Sequence, residues 1–554
     1  MVNSLAPRRI VFFALMLGTA ALLLGLALAA LAPGGFGVWE VVILLCLLVV
    51  APWNGISLGN AAPGLWLLLA RRQPATAVLP ALAAAGSGPP ALNTAIALCV
   101  RNEDLAQVLP ALGRLLDGLA AAGAGPRFSA WVLSDTQDAA LAQREALAFA
   151  AFRAGRADAA RLHYRRRPQN TGFKAGNIME FRDHHAAGQD LMLTLDAESE
   201  MSAAAVLRLV GCMQADPALA LVQHLTVGRP ARAAFPRLFQ FGMRAGMRAW
   251  ATGQAWWQQG EGPYWGHNAI LRIEPFRRHC RLAPLPDGRA ILSHDQVEAV
   301  RLHAAGWKVM CLPEEAGSLE ANPPALPEYL ARDQRWGAGN MQYLALLRLP
   351  GMTAMGRWQL VQAILLFLGA PAWVLMLAAA GLNTALGGQV QQGWLLALLL
   401  FGWGSNYASK LAGYAEMLLR PARARAYGGR RRFLAGAAAE LGFTLLFEPV
   451  CQFNKALFLA ALPFGLKPGW APQNRAERGV ALADAARLLW PHTLFGLGVV
   501  ALFALGPPGA WLWALPFTAG LVLAVPFCVL TAAPGFSAWL AARGLAATPE
   551  ELAG

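Results

Sequence analysis

Apolar runs are grouped in two regions of the chain, one near each end. Near the amino end, residues 10–31 contain no charged side chain, and residues 38–52 form a second apolar run. The first run has 22 residues, which is long enough to cross a bilayer. The pattern predicts a transmembrane hairpin, followed by the largely apolar residues 56–70 at the membrane interface.

A cleaved signal peptide is the competing interpretation of the first run. Arg8 and Arg9 would be its basic beginning, and residues 27–29, Ala-Leu-Ala, resemble a cleavage site. We prefer a retained span, because the run is long for the apolar part of a signal peptide and a second apolar run follows it.

The apolar runs return after about residue 350. Four further spans are predicted, at residues 358–382, 394–417, 494–505 and 511–529. Together with the amino-terminal pair, this makes six predicted spans. Residues 383–393 carry no charge, whereas the next loop carries Arg420, Arg423, Arg425, Arg430, Arg431 and Arg432. Basic loops favour the cytoplasmic side, so this loop and both chain termini are predicted to be cytosolic.

Residues 433–466 are apolar overall but include Glu440, Glu448 and Lys455. Pro449 would break or kink a helix at this place. A single crossing would put the basic segment 467–487 outside. We predict a re-entrant or interfacial helix pair, which keeps that segment inside.

Strand-length and helix-length patterns alternate in the middle of the chain. Strands are predicted at residues 95–100, 128–133, 190–195 and 219–223, and helices at 104–122, 138–153 and 202–214. Such alternation predicts an α/β domain with a largely parallel sheet, in which ligands bind at the carboxyl ends of the strands. Asp135 and Asp196 lie at two such ends.

Composition agrees with this division. Hydrophobic residues make up 56% of the chain and charged residues 14%, and the charges concentrate between residues 101 and 348. We therefore predict a polytopic α-helical membrane protein with an inserted cytosolic α/β domain. Its predicted parts are an amino-terminal membrane segment (1–70), the α/β domain (93–348), carboxyl-terminal membrane and interfacial helices (349–535) and a cytosolic tail (536–554).

The net charge of +14 has two interpretations. Nucleic-acid binding is one. Many arginines adjoin apolar segments, among them Arg71 and Arg72, so we assign the charge to the cytoplasmic bias of membrane proteins and predict no nucleic-acid partner. The seven cysteines form no CxxC pair and are predicted to be free thiols.

Several polar residues could carry chemistry. Asp196 and Glu198, two positions apart in a loop, could hold a divalent cation, although such loops are most often merely solvated. Asp135 could accept hydrogen bonds from a base or ribose, or it could cap the helix predicted from residue 138. Lys174, near a helix start, could neutralise a diphosphate.

A second set lies further along the chain. Asp295 precedes a predicted helix and could act as a general base, whereas His294 suits positioning or packing better than metal binding. Arg332 and Arg335 could bind a diphosphate, and Trp336 could stack on a sugar. Near a membrane, however, an Arg-Trp pair is usually an interfacial anchor.

The order of these residues resembles the processive family 2 glycosyltransferases of the GT-A fold. Residues 264–269, 291–295 and 332–340, together with Pro472-Gln473-Asn474-Arg475, look like the glucans biosynthesis glucosyltransferase H family. The resemblance runs from about residue 95 to residue 549.

The resemblance implies an inverting enzyme of the bacterial inner membrane, which polymerises UDP-glucose into the linear β-1,2-glucan backbone of osmoregulated periplasmic glucans. It implies that Asp295 is the base and that Asp196 and Glu198 hold Mg²⁺ or Mn²⁺. The substrate and nucleotide would contact Asp135, Lys174, His267, Asn268, Arg332, Arg335 and Trp336. Acyl carrier protein is an implied partner, although no motif for that contact is evident.

Two departures from the family pattern matter. Glu198 stands where the family has a second Asp, and nine residues precede the first span where longer members have a cytosolic extension. Other sugars or linkages, a lipid-linked sugar product and a non-catalytic polysaccharide channel remain open from the residues alone.

The growing chain is expected to pass between the carboxyl-terminal spans. The candidate lining residues are Ser405, Asn406, Lys410 and Glu448, near Trp403 and Tyr407. Polar groups inside a membrane mark a pathway or pair with each other, and Lys410 could also be an interfacial anchor.

Overall fold

The computed structural model describes residues 5–86, 88–465 and 477–553, so the predicted motif at residues 472–475 lies outside the described residues. The amino-terminal part consists of α1 (Leu5–Leu31), α2 (Val38–Ala70), α3 (Pro74–Val78) and α4 (Ala81–Ala84). The predicted division of residues 38–70 into a span and an interfacial segment is wrong. Helix α2 is continuous over 33 residues and contains Pro52 and Pro63. Neighbouring helices and side chains in a membrane protein satisfy the backbone groups that a proline frees.

A seven-stranded sheet forms the centre of the middle region, in the order β3-β2-β1-β4-β8-β6-β9. All neighbouring pairs are parallel except those of β8, which runs antiparallel to β4 and β6. A small second sheet has the order β5-β10-β7. The strands are β1 (Thr94–Val100), β2 (Phe128–Ser134), β3 (Leu162–Arg166), β4 (Leu191–Asp196), β5 (Ser199–Met201), β6 (Leu219–His224), β7 (Val227–Gly228), β8 (Ala269–Arg272), β9 (Lys308–Leu312) and β10 (Ser318–Glu320).

Helices cover the sheet, and they include the three predicted at residues 104–122, 138–153 and 202–214. They are α5 (Leu105–Ala121), α6 (Ala139–Ala154), α7 (Phe173–His184), α8 (Ala203–Ala215), α9 (Ala234–Gln258), α10 (Ile273–His279), α11 (His294–Ala304), α12 (Leu326–Met341) and α13 (Tyr343–Leu346). Asp104, Asp138 and Ser202 cap α5, α6 and α8 with their side-chain oxygens. Since Asp138 caps α6, the alternative in which Asp135 is that cap is wrong.

Helix α9 joins the sheet domain to the apolar helices. A methyl group on Gly64 would lie 2.0 Å from the Ala249 carbonyl oxygen, and one on Gly253 would lie 1.9 Å from that of Asn60. The backbones of α2 and α9 therefore touch, with no room for a side chain at either glycine. The sheet domain and the amino-terminal helices are consequently in direct backbone contact at this place.

The remaining helices are α14 (Ala354–Ala385), α15 (Gln392–Asn406), α16 (Ala408–Leu419), α17 (Pro421–Ala426), α18 (Arg430–Ala461), α19 (Leu482–Ala504), α20 (Ala510–Val522), α21 (Ala524–Ala532), α22 (Pro534–Ala542) and α23 (Pro549–Ala553). The predicted helix pair at residues 433–466 is wrong, because α18 continues for 32 residues through Pro449. The predicted span 394–417 is divided at Tyr407 into α15 and α16.

Within the described residues, five helices are long and apolar enough to cross a membrane: α1, α2, α14, α18 and α19. The pair α20 and α21, bent by 54°, would make a sixth. The predicted number of spans is thus reached with a different set, because α18 takes the place of residues 394–417. All seven cysteines are free thiols, as predicted.

Candidate active site

Three of the predicted site residues meet at the carboxyl edge of the sheet, around Gly266. Lys174 Nζ donates hydrogen bonds to Asp196 Oδ1 and, at 2.9 Å, to the carbonyl oxygen of Gly266. A methyl group on Gly266 would lie 3.4 Å from Asp295 Oδ2, so this carboxylate faces the glycine directly. We call the group of Lys174, Asp196, Gly266 and Asp295 the acidic edge.

Backbone conformation places these groups. Asp196 is the last residue of β4, and its N–H donates to Ser199 Oγ at 3.0 Å. Gly172, with a φ of 71°, allows the chain to turn into α7, so that Lys174 lies in the first helical turn. Gly266 has a φ of 88°, a conformation that favours glycine. A side chain there would be strained by this backbone conformation.

The charge of Lys174 is maintained by its neighbours. Burial alone would lower the pKa of this ammonium group, but the adjacent carboxylates, Asp196 foremost, raise the pKa above its ordinary value. Burial raises the pKa of the neighbouring Cys99 thiol to about 12, so Cys99 stays protonated at neutral pH. Lys174 is therefore a fixed positive charge beside two carboxylates, which suits a site for an anionic substrate.

Asp135 lies beside the acidic edge in an ion pair that the sequence did not indicate. Arg167 Nε and Nη2 donate to its two carboxylate oxygens at 2.7 and 2.9 Å, and both side chains are buried. Burial raises the pKa of Asp135, and Arg167 opposes that rise. Arg167 also donates to the carbonyl oxygens of Thr171 and Phe173 at 3.0 Å. It thus ties Asp135 to the loop that carries Lys174.

His267 and Asn268 connect the acidic edge to the small sheet. Asn268 adopts a φ of 49° and is fully buried, and its Nδ2 donates to Ser318 Oγ at 2.9 Å. His267 Nε2 lies 3.4 Å from a carboxylate oxygen of Glu320. Asn268 therefore holds the loop in place, whereas His267 is the more accessible of the two.

A buried pair supports Asp295 from within its own helix. His294 Nδ1 lies 3.0 Å from Glu298 Oε2, one helical turn away on α11, and both side chains are buried. Burial would lower the pKa of His294, but Glu298 raises it overall, and burial raises the pKa of Glu298. His294 was predicted to serve positioning or packing, whereas Glu298 was missed, although a spacing of four residues on a helix could have indicated the pair.

The predicted Arg-Trp motif lies on α12. The guanidinium carbon of Arg332 is 4.6 Å from the ring centroid of Trp336, whose side chain is 49% exposed. Asp333, between them in the sequence, is buried with its Oδ1 3.7 Å from Lys455 Nζ of α18. The motif is therefore anchored to the apolar helices at Asp333 and presents Trp336 to the solvent side.

Asp196 and Glu198 provide the donor chemistry that a divalent cation needs, namely hard carboxylate oxygens. Among the described residues, no group of three or more His, Cys, Asp or Glu side chains could hold a metal ion. Mg²⁺ is often bound by only one or two carboxylates together with substrate phosphates and water. Asp196 and Glu198 match such a site in donor chemistry, although Lys174 Nζ already pairs with Asp196 Oδ1, and a metal site here stays a prediction.

The residues predicted to line a path between the apolar helices have hydrogen-bond partners on α2 and α18. Lys410 Nζ donates to Glu440 Oε1 at 2.5 Å, and Tyr407 OH donates to Glu448 Oε2 at 2.6 Å. Ser405 Oγ accepts a hydrogen bond from Asn54 at 3.0 Å, and the Asn406 carbonyl accepts one from Ser57 at 3.0 Å. Two of the groups thus pair with carboxylates of α18 and two bond to α2, and a path between these helices stays a prediction.

Comparisons with known proteins decide the family. Residues 191–408 match the family model described as glycosyl transferase family group 2. The glucans biosynthesis glucosyltransferase H of Bradyrhizobium diazoefficiens is 33% identical, over 95% of this chain and 73% of the relative. The protein of the same name from Xanthomonas campestris is 31% identical, over 95% of this chain and 84% of the relative. The chain belongs to the glucans biosynthesis glucosyltransferase H family.

A solved structure is also similar: the mannosyltransferase PcManGT from Pyrobaculum calidifontis in complex with GDP-Man and Mn²⁺. It is 16% identical with a TM-score of 0.40, over 66% of this chain and 98% of that chain. Membership of the family confirms that the chain is a glycosyltransferase, a glucosyltransferase of glucan synthesis. The predicted architecture, apolar membrane helices with an inserted, mostly parallel α/β domain, is confirmed as well.

Proposed function

We propose that this glucosyltransferase uses UDP-glucose to extend a linear β-1,2-glucan, the backbone of periplasmic glucans, at the bacterial inner membrane. The observation that carries the proposal is the meeting of Lys174, Asp196 and Asp295 around Gly266. A fixed ammonium group lies beside one carboxylate, and a second carboxylate faces them across a glycine. A group that could bind the diphosphate and a group that could remove a proton therefore lie next to each other.

The donor diphosphate would lie at Lys174, with Arg332 and Arg335 closing over it. Asp196 and Glu198 would hold Mg²⁺ or Mn²⁺, which supplies positive charge to the leaving diphosphate. Asp135, fixed by Arg167, would contact the uridine. His267 and Asn268 would contact the sugar nucleotide, and Trp336 would stack on the acceptor sugar, because it is the exposed aromatic residue of its motif.

Asp295 would act as the general base. Its carboxylate takes the proton of the acceptor hydroxyl while that oxygen forms a bond to the anomeric carbon of glucose. The bond between the anomeric carbon and the UDP oxygen breaks in the same step, and UDP leaves with the electron pair. A single displacement of this kind inverts the anomeric configuration.

The proposal includes the orientation of the protein in the membrane and the export of the glucan. The arginine-rich segment of α17 and the start of α18 favours a cytosolic catalytic domain and cytosolic termini. The glucan would leave through the carboxyl-terminal helices. Binding of acyl carrier protein stays a prediction, which co-purification with the isolated carrier protein would test.

Radiolabelled UDP-glucose given to the purified protein in lipid nanodiscs tests the reaction. We expect a polymer of β-1,2-linked glucose that fails to form when a chelator removes divalent cations. A labelled lipid, or a polymer with another linkage, would contradict the proposed product. Inverted membrane vesicles test export separately, because polymer outside the vesicle lumen would contradict translocation while leaving the transferase reaction intact.

A further inference from the structure

A large cavity lies where α2 ends, apart from every residue of the acidic edge. Its volume is about 1000 Å³. Its walls include the apolar side chain of Leu68, the polar side chains of Thr76 and Gln214, and the guanidinium groups of Arg72, Arg208 and Arg248. The cavity wall therefore combines apolar and cationic groups, a combination that suits an amphiphilic anion.

The charges of the cavity do not cancel within it. Arg208 forms an ion pair with Glu314, which also lines the cavity. Arg248 Nη1 lies 3.2 Å from a carboxylate oxygen of Glu416, and Glu416 is not part of the wall. Arg72 is exposed, and its side chain makes no ion pair or hydrogen bond with the residues that the structure describes. Two of the three guanidinium groups are thus paired with carboxylates, and Arg72 is the one that keeps a positive charge without such a partner among the described residues.

The surroundings place this cavity at a membrane surface. Trp66, in the last turns of α2, is 52% exposed, and Arg71 Cζ lies 6.0 Å from its ring centroid. Arg420 Nη2 donates to the carbonyl oxygens of Leu68 and Leu69 at 2.8 and 2.6 Å. An exposed tryptophan among arginines at the end of an apolar helix marks the level of the lipid headgroups.

We propose that this cavity binds the phosphate headgroup of an anionic phospholipid. Arginine is well suited to phosphate because its planar donors match the phosphate oxygens, and basic pockets beside membrane helices attract anionic lipids. Arg72 contacts the phosphate directly, with Arg208 and Arg248 behind it. The glycerol part of the lipid lies against Leu68. A bound lipid would then bridge α2 and the sheet domain through Arg208 of α8.

The decisive measurement is lipid retention by the full-length protein. The purified protein in neutral detergent is titrated with phosphatidylglycerol or phosphatidylcholine, and bound lipid is counted by native mass spectrometry. We expect wild-type protein to prefer phosphatidylglycerol and Arg72→Gln to weaken that binding about five-fold or more. Arg71→Gln is the matched control, since Arg71 is the adjacent arginine and does not line the cavity.

Each other outcome would overturn the proposal. Equal loss in Arg71→Gln and Arg72→Gln would mean that only general surface charge attracts the lipid. Displacement of phosphatidylglycerol by inorganic phosphate would assign the cavity to a soluble phosphate compound. Should Arg72→Gln fail to fold, the pair Arg208→Gln with Glu314→Gln removes one guanidinium without leaving its partner charged, and unchanged phosphatidylglycerol binding in that variant would also contradict the proposal.

Discussion

Two lysine–carboxylate pairs, one in each region of the molecule, differ in what surrounds them. Lys174 and Asp196 at the acidic edge are 21% and 26% exposed, and Lys174 also bonds to a backbone carbonyl. Lys410 and Glu440, between α16 and α18, are 16% and 2% exposed. Both oxygens of Glu440 are engaged, since Thr444 shares one with Lys410 and Tyr414 donates to the other.

The difference separates a pair that can exchange partners from one that cannot. An accessible pair at the end of a parallel strand leaves room for an anionic ligand to take over the lysine. A pair enclosed by a hydroxyl, a phenol and two helices is already satisfied and holds those helices together. From the sequence alone, both pairs are ionisable groups that could lie near the path of the reaction. Only the structural surroundings of each pair distinguish their roles.

The largest expected effect concerns the acidic edge itself. Asp295→Asn should lower kcat about 10²- to 10⁴-fold, because an amide cannot take the proton of the acceptor hydroxyl. Turnover of UDP-glucose by the purified variant measures this. Asp287→Asn is the control, since Asp287 is an exposed residue whose partner is Arg289. A rate for Asp295→Asn equal to that of the control would refute the assignment of the base.

Removing a charge from the enclosed pair, Lys410 and Glu440, should lower stability rather than act on the chemical step. Lys410→Met leaves Glu440 buried without its cation and should reduce the free energy of unfolding by about 3–5 kcal/mol. The double variant Lys410→Met with Glu440→Gln should recover most of that stability, because neither charge remains. Thermal unfolding in detergent measures both, with glucosyltransferase activity followed alongside. If the double variant is stable and yet inactive, the pair takes part in the reaction and the contrast fails.

The accessible pair should lose activity while keeping stability. Lys174→Met should lower kcat about 10²-fold, because a positive charge at the diphosphate is lost. Its effect on unfolding should be smaller than that of Lys410→Met, since this pair is the more exposed of the two and salt bridges near water contribute less to stability. Lys308→Met is the matched control, because Lys308 pairs with Asp216 at 2.8 Å on the same sheet. Comparable activity of the two variants would remove Lys174 from the donor site.

The sequence predicted the acidic edge better than the membrane helices, for a physical reason. Alternation of strands and helices places residues that follow strands at one edge, so Asp135 and Asp196 could be located. Arg167 could not be paired with Asp135 because their contact depends on the parallel alignment of β2 with β3. Strand β8 was missed, since its four residues carry no distinct pattern.

Among the apolar helices, the local sequence pattern predicted the helix ends incorrectly. Pro449 predicted a break and the second apolar run was ended at residue 52, but α18 and α2 continue through these prolines because surrounding helices outweigh the loss of one backbone hydrogen bond. Conversely, residues 394–417 were predicted as one span, whereas the structure has two helices divided at Tyr407. Helix continuity in this region depends on tertiary packing, which a single sequence does not show.

The smallest expected effect is a pH dependence of stability from His294. Glu298 and Asp295 raise its pKa against the opposing effects of burial and Lys174. The folded state therefore binds this proton more tightly than the unfolded state does. The resulting stability is fully present below the unfolded pKa of about 6.5 and is lost as pH rises through the folded pKa. Glu298, whose pKa burial raises, acts in the same direction from a lower pH.

Unfolding measured between pH 6 and pH 9 tests this contribution. Wild-type stability should fall with rising pH by at most about 1.4 kcal/mol per pH unit for one proton. His294→Gln should flatten that slope, because glutamine does not titrate, and Arg301→Gln on the same helix should leave it unchanged. An equal slope in wild type and His294→Gln would show that His294 is not protonated in the fold, and its support of Asp295 would then have to come from packing alone.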